Sequence, residues 1–336
     1  MKPRVVVAEE IAPAGLALLG EAAEVDSAVG ASRADLLARL DGAAGLVVRS
    51  ATRVDSGLIA AAPALRVVGR AGTGTDNIDL DAATRAGILV VNAPNANALS
   101  AAEHTMALLL ALARRVPEGD RSVRSGGWER KRLGGVELAG KTLGIVGLGR
   151  IGGLVAQRAR AFGMSLLAYD PFVSGALAAT AGVELAPSIE ELMAGSDFVS
   201  IHVPLTAETR GLIGAGALEH ARPGLRLVNT ARGGVVDEEA LVAALRSGRV
   251  AGAALDVFAA EPPTGSPLLD LPQVVVTPHL GASTVEAQAR AGVEVAVAVA
   301  AALRGELVAT AVNVELGTGM PDEWQPFLPV AEGLGA

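Results

Sequence analysis

Short Val-rich runs alternate with Ala- and Leu-rich helical stretches along almost the whole chain, and this alternation limits the fold more than any other feature. In the first ninety residues the runs are 4–8, 44–49, 65–69 and 87–92, with helical patterns at 31–40 and 56–62 between them. Strands that alternate with helices form parallel sheets. Runs that are apolar at nearly every residue belong to a sheet covered on both faces. The segment 92–97 (NAPNAN), with Pro94 between asparagines, reads as a break. Beyond it a long helix is predicted over 100–115, opened by a capping box of Ser100 and Glu103 and closed by Arg114 and Arg115 at its negative end. A second series of strands follows at 142–146, 166–169, 198–202, 225–229, 252–255 and 274–276. After Pro278 one more helix is predicted over 284–303, with Val293, Val297 and Ala300 along one face. The fold class is therefore α/β, with doubly wound parallel sheets.

Composition narrows the function. A chain of 336 residues suggests two domains. Aromatics make up only 2%, so the core must be built from Ala, Val, Leu and Ile. A formal net charge of −8 argues against a nucleic-acid binder, which presents a basic face. The absence of cysteine excludes disulfides, Cys-ligated zinc and Cys nucleophiles, and no metal site is expected. Mean hydropathy is high, +0.43, yet the uncharged run 86–102 is broken by Pro94 and three asparagines. No membrane span is expected. The N-terminus lacks the apolar stretch of a signal peptide, so a soluble cytoplasmic protein is expected.

The strongest local motif is Gly147-Leu148-Gly149-Arg150-Ile151-Gly152. It follows an apolar strand and opens a helix pattern. That context suits a dinucleotide fingerprint: Gly147 for the turn, Gly149 for close approach of a pyrophosphate, Gly152 for helix–strand packing. The helix N-terminus offers N–H groups to phosphates. Asp170 ends the next strand, where a carboxylate binds a ribose 2′-hydroxyl and repels a 2′-phosphate, so NAD is expected rather than NADP.

Histidines number four. His104 lies inside the 100–115 helix with Glu103 as its nearest charge, and a structural role is expected. His220 precedes Pro223 in a polar, solvated stretch. His202 ends a strand and is expected to line a cofactor. His279 also follows a strand, in a turn shaped by Pro278 and Gly281, and faces the ligand crevice of such a fold. A hydride-transfer site needs an acid–base group, a group that tunes it and a cation for the substrate. Arg232 and Glu261 follow two further strands and supply candidates.

The motifs VRSAT (48–52), VGRAGTGTDNID (68–79), WERKR (128–132), GLGRIG (147–152), NTARGGVVDE (229–238), ALDVFAAEPP (254–263) and PHLGAST (278–284) resemble the D-isomer-specific 2-hydroxyacid dehydrogenases. The resemblance runs in order over residues 1–316. It implies a catalytic triad of Arg232, Glu261 and His279. His279 would exchange the proton of the substrate hydroxyl, Glu261 would pair with its other ring nitrogen, and Arg232 would grip the carboxylate and C2 oxygen. It implies NAD contacts from Arg150, Ile151, Asp170, Val203, Thr230, Ala231, Arg232, Asp256 (toward the nicotinamide carboxamide), His279, Leu280, Gly281 and Ala282. Thr73, His202 and Pro204 are added to that set. Gly72, Thr73 and Gly74 would hold the substrate carboxylate through backbone N–H groups. Arg49, Ser50, Arg70 and Arg130 lie in motifs that suit a phosphorylated 2-hydroxy acid.

The resemblance further implies discontinuous domains. A substrate domain would take 1–97 and 286–316, and an NAD domain 98–285, with the active-site cleft between two Rossmann-like units. It also implies a homodimer in which WERKR reaches the neighbour's site. Two other functions compete: a glyoxylate or hydroxypyruvate reductase, and an NAD(H)-sensing corepressor-type scaffold. The tail 317–336, with Trp324, Phe327 and Leu328, resembles the start of a further domain, and no regulatory domain is expected from a segment of that length.

Overall fold

A computed structural model describes residues 2–314 of the chain. The tail 317–336 lies outside the described residues. The chain divides into two compact units, one made of the residues up to 96 with those from 288 on, the other of 97–287.

In the first unit five strands form one parallel sheet: β1 (Arg4–Val7), β2 (Glu24–Ser27), β3 (Gly45–Val48), β4 (Val67–Arg70) and β5 (Leu89–Val91). Their order is β2-β1-β3-β4-β5. β2 is absent from the Val-rich alternation because it is an edge strand of mixed polarity, EVDS, with no buried residue. The helices Arg33–Leu40, Ser56–Ala60 and Leu80–Arg85 start at Ser32, Asp55 and Asp79, whose side chains each accept a first-turn N–H. Such caps contribute about 1 kcal/mol each.

The helix Val285–Arg304 packs its later turns into the same unit's core through Val295, Ala296, Val299 and Leu303. Gly69 on β4 makes this possible, since a Cβ there would come within 2.7 Å of Val295 Cγ2. Where Gly15 meets Gly292, a Cβ on Gly15 would run into the Gly292 backbone, so two helices touch main chain to main chain. The expected apolar face is corrected in one place. Val297 is 54% exposed, and the buried stripe runs through Ala291, Val295 and Val299 instead.

The second unit holds β6 (Thr142–Val146), β7 (Ser165–Tyr169), β8 (Glu184–Leu185), β9 (Phe198–Ile201), β10 (Leu225–Asn229), β11 (Val250–Leu255) and β12 (Val274–Val276). All pair in parallel, in the order β12-β11-β10-β9-β6-β7-β8. Leu143, Ile145, Phe198 and Val228 pack on one face and Val146, Val199, Ile201 and Leu227 on the other, as a doubly covered sheet requires. Truncating a fully buried leucine such as Leu143 to alanine would cost about 2–5 kcal/mol.

The long helix is Ala98–Arg114, and it begins before the predicted capping box. Ser100 therefore falls inside the first turn and bonds the Thr284 hydroxyl at 2.8 Å, while Glu103 faces Arg158 at 3.5 Å. Arg115, in a left-handed conformation (φ 53°), ends this helix and leads into Val116–Arg124. Among the described residues, no helix is long and apolar enough to cross a membrane, and no cluster of acidic and histidine side chains is placed to hold a metal.

Candidate active site

Each sheet reverses its strand order once, between β6 and β9 in the second unit and between β1 and β3 in the first. Open α/β sheets bind ligands beyond the carboxyl ends of the strands at such points.

In the second unit β6 is followed by the motif Gly147–Gly152, in which 147–149 form the loop and 150–152 open the next helix. Gly147 has φ +90°, and a Cβ on it would lie 2.8 Å from Val203 and 3.1 Å from the His202 carbonyl. A Cβ on Gly152 would run into the Gly147 carbonyl, while one on Gly149 would meet nothing within 4 Å. The open space is therefore at Gly149, and the helix Arg150–Ala161 starts there without a side-chain cap. Backbone N–H groups at an open helix start suit a pyrophosphate. Asp170, after β7, accepts the Leu148 N–H at 2.8 Å and the Phe172 N–H at 2.9 Å, which fixes its carboxylate against the glycine loop. These features fit an NAD dinucleotide.

His202, after β9, bonds the Ser200 hydroxyl at 2.7 Å. Burial pushes its imidazole down to about 3, so it is neutral near pH 7. After β10, the buried Asn229 accepts the Ala231 N–H at 3.0 Å and donates to the Arg232 carbonyl at 2.9 Å. Thr230 bonds Thr105 at 2.7 Å. Gly233 lets this loop press on the next one, because a Cβ there would overlap the Phe258 backbone.

After β11 and β12 stand Glu261 and His279. His279 Nδ1 and Glu261 Oε2 are 2.9 Å apart, and the other Glu261 oxygen accepts the Phe258 N–H at 3.1 Å. A carboxylate only accepts, so Nδ1 carries the proton and Nε2 is left for another partner. Both side chains reach solvent, His279 at 49% and Glu261 at 38%. His279 has φ 56°, an uncommon conformation for a residue with a side chain. Asp256 holds it there. The Asp256 carbonyl accepts the His279 N–H at 2.9 Å, and its carboxylate accepts the Leu280 and Gly281 N–H groups at 2.7 and 2.8 Å.

Asp256 has a structural part beside its expected one. Its carboxylate is fully buried and takes donors from Thr277, Leu280, Gly281 and His104, so it anchors the loop. Burial alone would raise its proton affinity; the His104 and Thr277 donors and the two backbone N–H groups outweigh that and hold the carboxyl below its ordinary value. Ala282, Val203, Ala231 and Pro204 border the same strand ends.

In the first unit the loop after β3 carries Arg49 and Ser50. Glu9, after β1, accepts the N–H groups of Arg49, Ala51 and Thr52 at 2.8, 3.1 and 2.9 Å. Asn77 donates to the Arg49 and Thr52 carbonyls at 2.8 and 2.6 Å. Arg70 ends the neighbouring strand, paired in register with Val48. The turn Gly72–Gly74 is held by Asn92, which donates to the Thr73 carbonyl at 2.7 Å, and by the Thr73 hydroxyl, which donates to the Ala93 carbonyl at 3.2 Å.

Arg130 is not brought to the strand ends of its own unit. Its segment is tied to the far end of the helix Ala98–Arg114, where Val136 N–H bonds the Ala113 carbonyl and Arg115 bonds the Arg132 carbonyl. His104 and Thr105, near the helix start, face Asp256 and Thr230. In the segment WERKR, Arg132 pairs with Glu129 at 2.6 Å, while Trp128 is 76% exposed.

Sequence reasoning missed Glu9, Asn77, Asn229 and the partner of His104. Glu9, Asn77 and His104 act through partners far along the chain, which no local pattern marks, whereas Asn229 bonds Ala231 and Arg232 within its own loop.

Residues 106–281 match the model of the D-isomer specific 2-hydroxyacid dehydrogenase NAD binding domain. The chain is 54% identical over 333 residues to a D-3-phosphoglycerate dehydrogenase of Mycobacterium tuberculosis, an alignment covering 99% of this chain and 63% of that protein. It is 46% identical to a D-3-phosphoglycerate dehydrogenase of Methanocaldococcus jannaschii, over 99% of this chain and 64% of the other. The chain thus spans less than two thirds of the length of these relatives. Among solved structures, the TT0316 protein from Thermus thermophilus superposes with a TM-score of 0.84 at 39% identity, covering 92% of this chain and 99% of that one. The chain belongs to the D-isomer specific 2-hydroxyacid dehydrogenase family.

Proposed function

We propose that this chain is the catalytic part of an NAD-dependent D-3-phosphoglycerate dehydrogenase, which oxidises D-3-phosphoglycerate to 3-phosphohydroxypyruvate at the start of L-serine synthesis. The observation that carries the reading is the His279–Glu261 pair at 2.9 Å, set on the same strand-end rim as the open glycine loop. The identity of 54% to a D-3-phosphoglycerate dehydrogenase over 99% of this chain supports the substrate.

When bound, NAD supplies the hydride acceptor. The residues Gly147 to Gly152 and Asp170 hold it. His279 Nε2 takes the C2 hydroxyl proton in oxidation and returns it in reduction. Glu261 fixes the ring by accepting from Nδ1–H. Arg232 offers a planar pair of donors to the carboxylate and C2 oxygen. Arg49, Ser50, Arg70 and the turn Gly72-Thr73-Gly74 serve the substrate's anionic groups. The residues 1–97 and 286–316 form the substrate domain and 98–285 the NAD domain. The protein is a cytoplasmic homodimer, and Arg130 serves the substrate of the second copy.

A panel of 2-oxo acids, with and without a 3-phosphate, tests this by NADH fluorescence. Phosphohydroxypyruvate should exceed glyoxylate, pyruvate and 2-oxoglutarate in kcat/KM by tenfold or more, about 1.4 kcal/mol. Faster turnover of glyoxylate would assign the chain to another branch of the family. Binding of NADH without turnover of any acid would favour a scaffold.

A further inference from the structure

His104 lies on the helix Ala98–Arg114, on none of the loops that carry the triad. Its Nε2 is 3.1 Å from Asp256 Oδ1 and 3.1 Å from Thr277 Oγ1. The proton positions follow from donor capacity. The Asp256 carboxylate only accepts, so the Thr277 hydroxyl donates to it, at 2.6 Å. His104 Nε2–H then lies between that carboxylate and the remaining lone pair of the threonine. The same Oδ1 accepts the Leu280 N–H at 2.7 Å, and Oδ2 accepts the Gly281 N–H at 2.8 Å. A buried carboxylate keeps its place only while such donors surround it.

The element that this carboxylate organises is the turn 277–281, with His279 at φ 56° at its centre. Left-handed backbone at a residue with a Cβ persists where the surroundings over-determine it. Those surroundings are Asp256 and Thr277, which themselves meet His104 across 152 and 173 residues of sequence.

We propose that His104 is a positioning residue: its Nε2–H anchors the Asp256 carboxylate, and Asp256 in turn holds the strained turn that presents His279. This assignment rests on the proposed dehydrogenase function for its effect on turnover, but not for its effect on the turn.

The test compares His104→Leu with His104→Gln. The side-chain amide of glutamine keeps an N–H donor close to the position of Nε2, whereas leucine fills the space without one. Hydrogen exchange of the peptide spanning 277–282 is measured in the ligand-free protein, and kcat with phosphohydroxypyruvate in parallel. His104→Leu should speed exchange of the Leu280 and Gly281 amides about tenfold or more. It should lower kcat by about tenfold to hundredfold, the scale of a small misplacement of a reacting group. His104→Gln should recover most of both. Unchanged exchange in His104→Leu, or a glutamine variant as impaired as the leucine one, would overturn the proposal. If His104→Leu does not fold, Thr277→Val removes a donor from the same oxygen and must speed the same amides, and unchanged protection there also overturns it. A wild-type protein that turns over no 2-oxo acid would strike the proposed function and leave the exchange result to decide this one.

Discussion

The loops above the two points of strand reversal are finished in opposite ways. Beyond β1 and β3, the carboxylate of Glu9 takes the N–H groups of Arg49, Ala51 and Thr52 for the protein itself. Beyond β6 and β9, Asp170 takes only the Leu148 N–H of the glycine loop from the side, and the space over Gly149 is open. The same fold position is thus filled by an internal anion in one unit and left to an external one in the other. An occupied set of amides cannot hold a ligand phosphate, so the proposed anion recognition in the first unit rests on side chains, Arg49 and Arg70, and on the turn at Gly72. In the second unit the backbone at Gly149 is open and is the proposed binding surface.

The largest effect expected is on chemistry, which the proposed function places on the rim of the second unit. His279→Gln removes proton exchange and should lower kcat by about 10²–10⁴. NADH binding, followed by fluorescence titration, should persist. Wild-type-like turnover would move the acid–base role elsewhere and break the division.

The open loop is tested next, by two glycines that differ in surroundings. Gly149→Val places its side chain where nothing lies within 4 Å. The protein should melt near the wild-type temperature and yet lose NADH affinity by tenfold or more, about 1.4 kcal/mol. Gly152→Ala drives a methyl into the Gly147 carbonyl and should cost about 1–3 kcal/mol of stability through overpacking. If both variants lose stability alike, the loop over Gly149 is packed rather than open.

Asp170→Ala should act more mildly. On the proposed function it removes a ribose acceptor and, with it, the charge that repels a 2′-phosphate. The preference for NADH over NADPH, measured as a ratio of Kd values, should fall by about tenfold, 1.4 kcal/mol. An equal fall in both affinities would mean that Asp170 serves only to hold the Leu148 and Phe172 amides.

What the sequence displayed in advance was whatever is local to a strand and the few residues after it. β6, β10 and β12 fall where the apolar runs place them, and the glycine loop, Asp170, Arg232, Glu261 and His279 all follow strands closely. Two of the four edge strands were less legible. Neither β2 nor β8 carries the apolar run that marks the other strands. The capping box failed because Ser100 had a better partner in Thr284, across 184 residues. The supports of the site were invisible for the same reason: Glu9 meets Arg49 across 40 residues and His104 meets Asp256 across 152. A periodicity argument carries no information about such pairs, since each is fixed by sheet topology and not by spacing.

The smallest effect expected is also the one that bears most directly on the filled loop. Burial of Glu9 would raise its proton affinity, but the N–H groups of Thr52, Arg49 and Ala51 and the Thr52 hydroxyl outweigh it and hold the carboxyl below its ordinary 4.5. A carboxylate with a lowered value in the folded state binds protons more readily when unfolded. Its contribution to stability is therefore complete above the unfolded value and is lost as pH falls through the folded one. Glu9→Gln keeps an acceptor oxygen but removes the charge, and hydrogen bonds to charged groups contribute about 1.5–3 kcal/mol each. Because one neutral acceptor remains, the net loss at pH 7 should be about 1–2 kcal/mol. Thermal melts at pH 7, 5, 4 and 3 should show the gap between wild type and variant shrinking below pH 5, since protonation makes the two side chains alike. Asp256 titrates in both proteins and cancels from the difference. A gap that stays constant down to pH 3 would mean that the charge of Glu9 does not hold the loop, and the first unit's strand-end amides would then be as available to a ligand as those of the second.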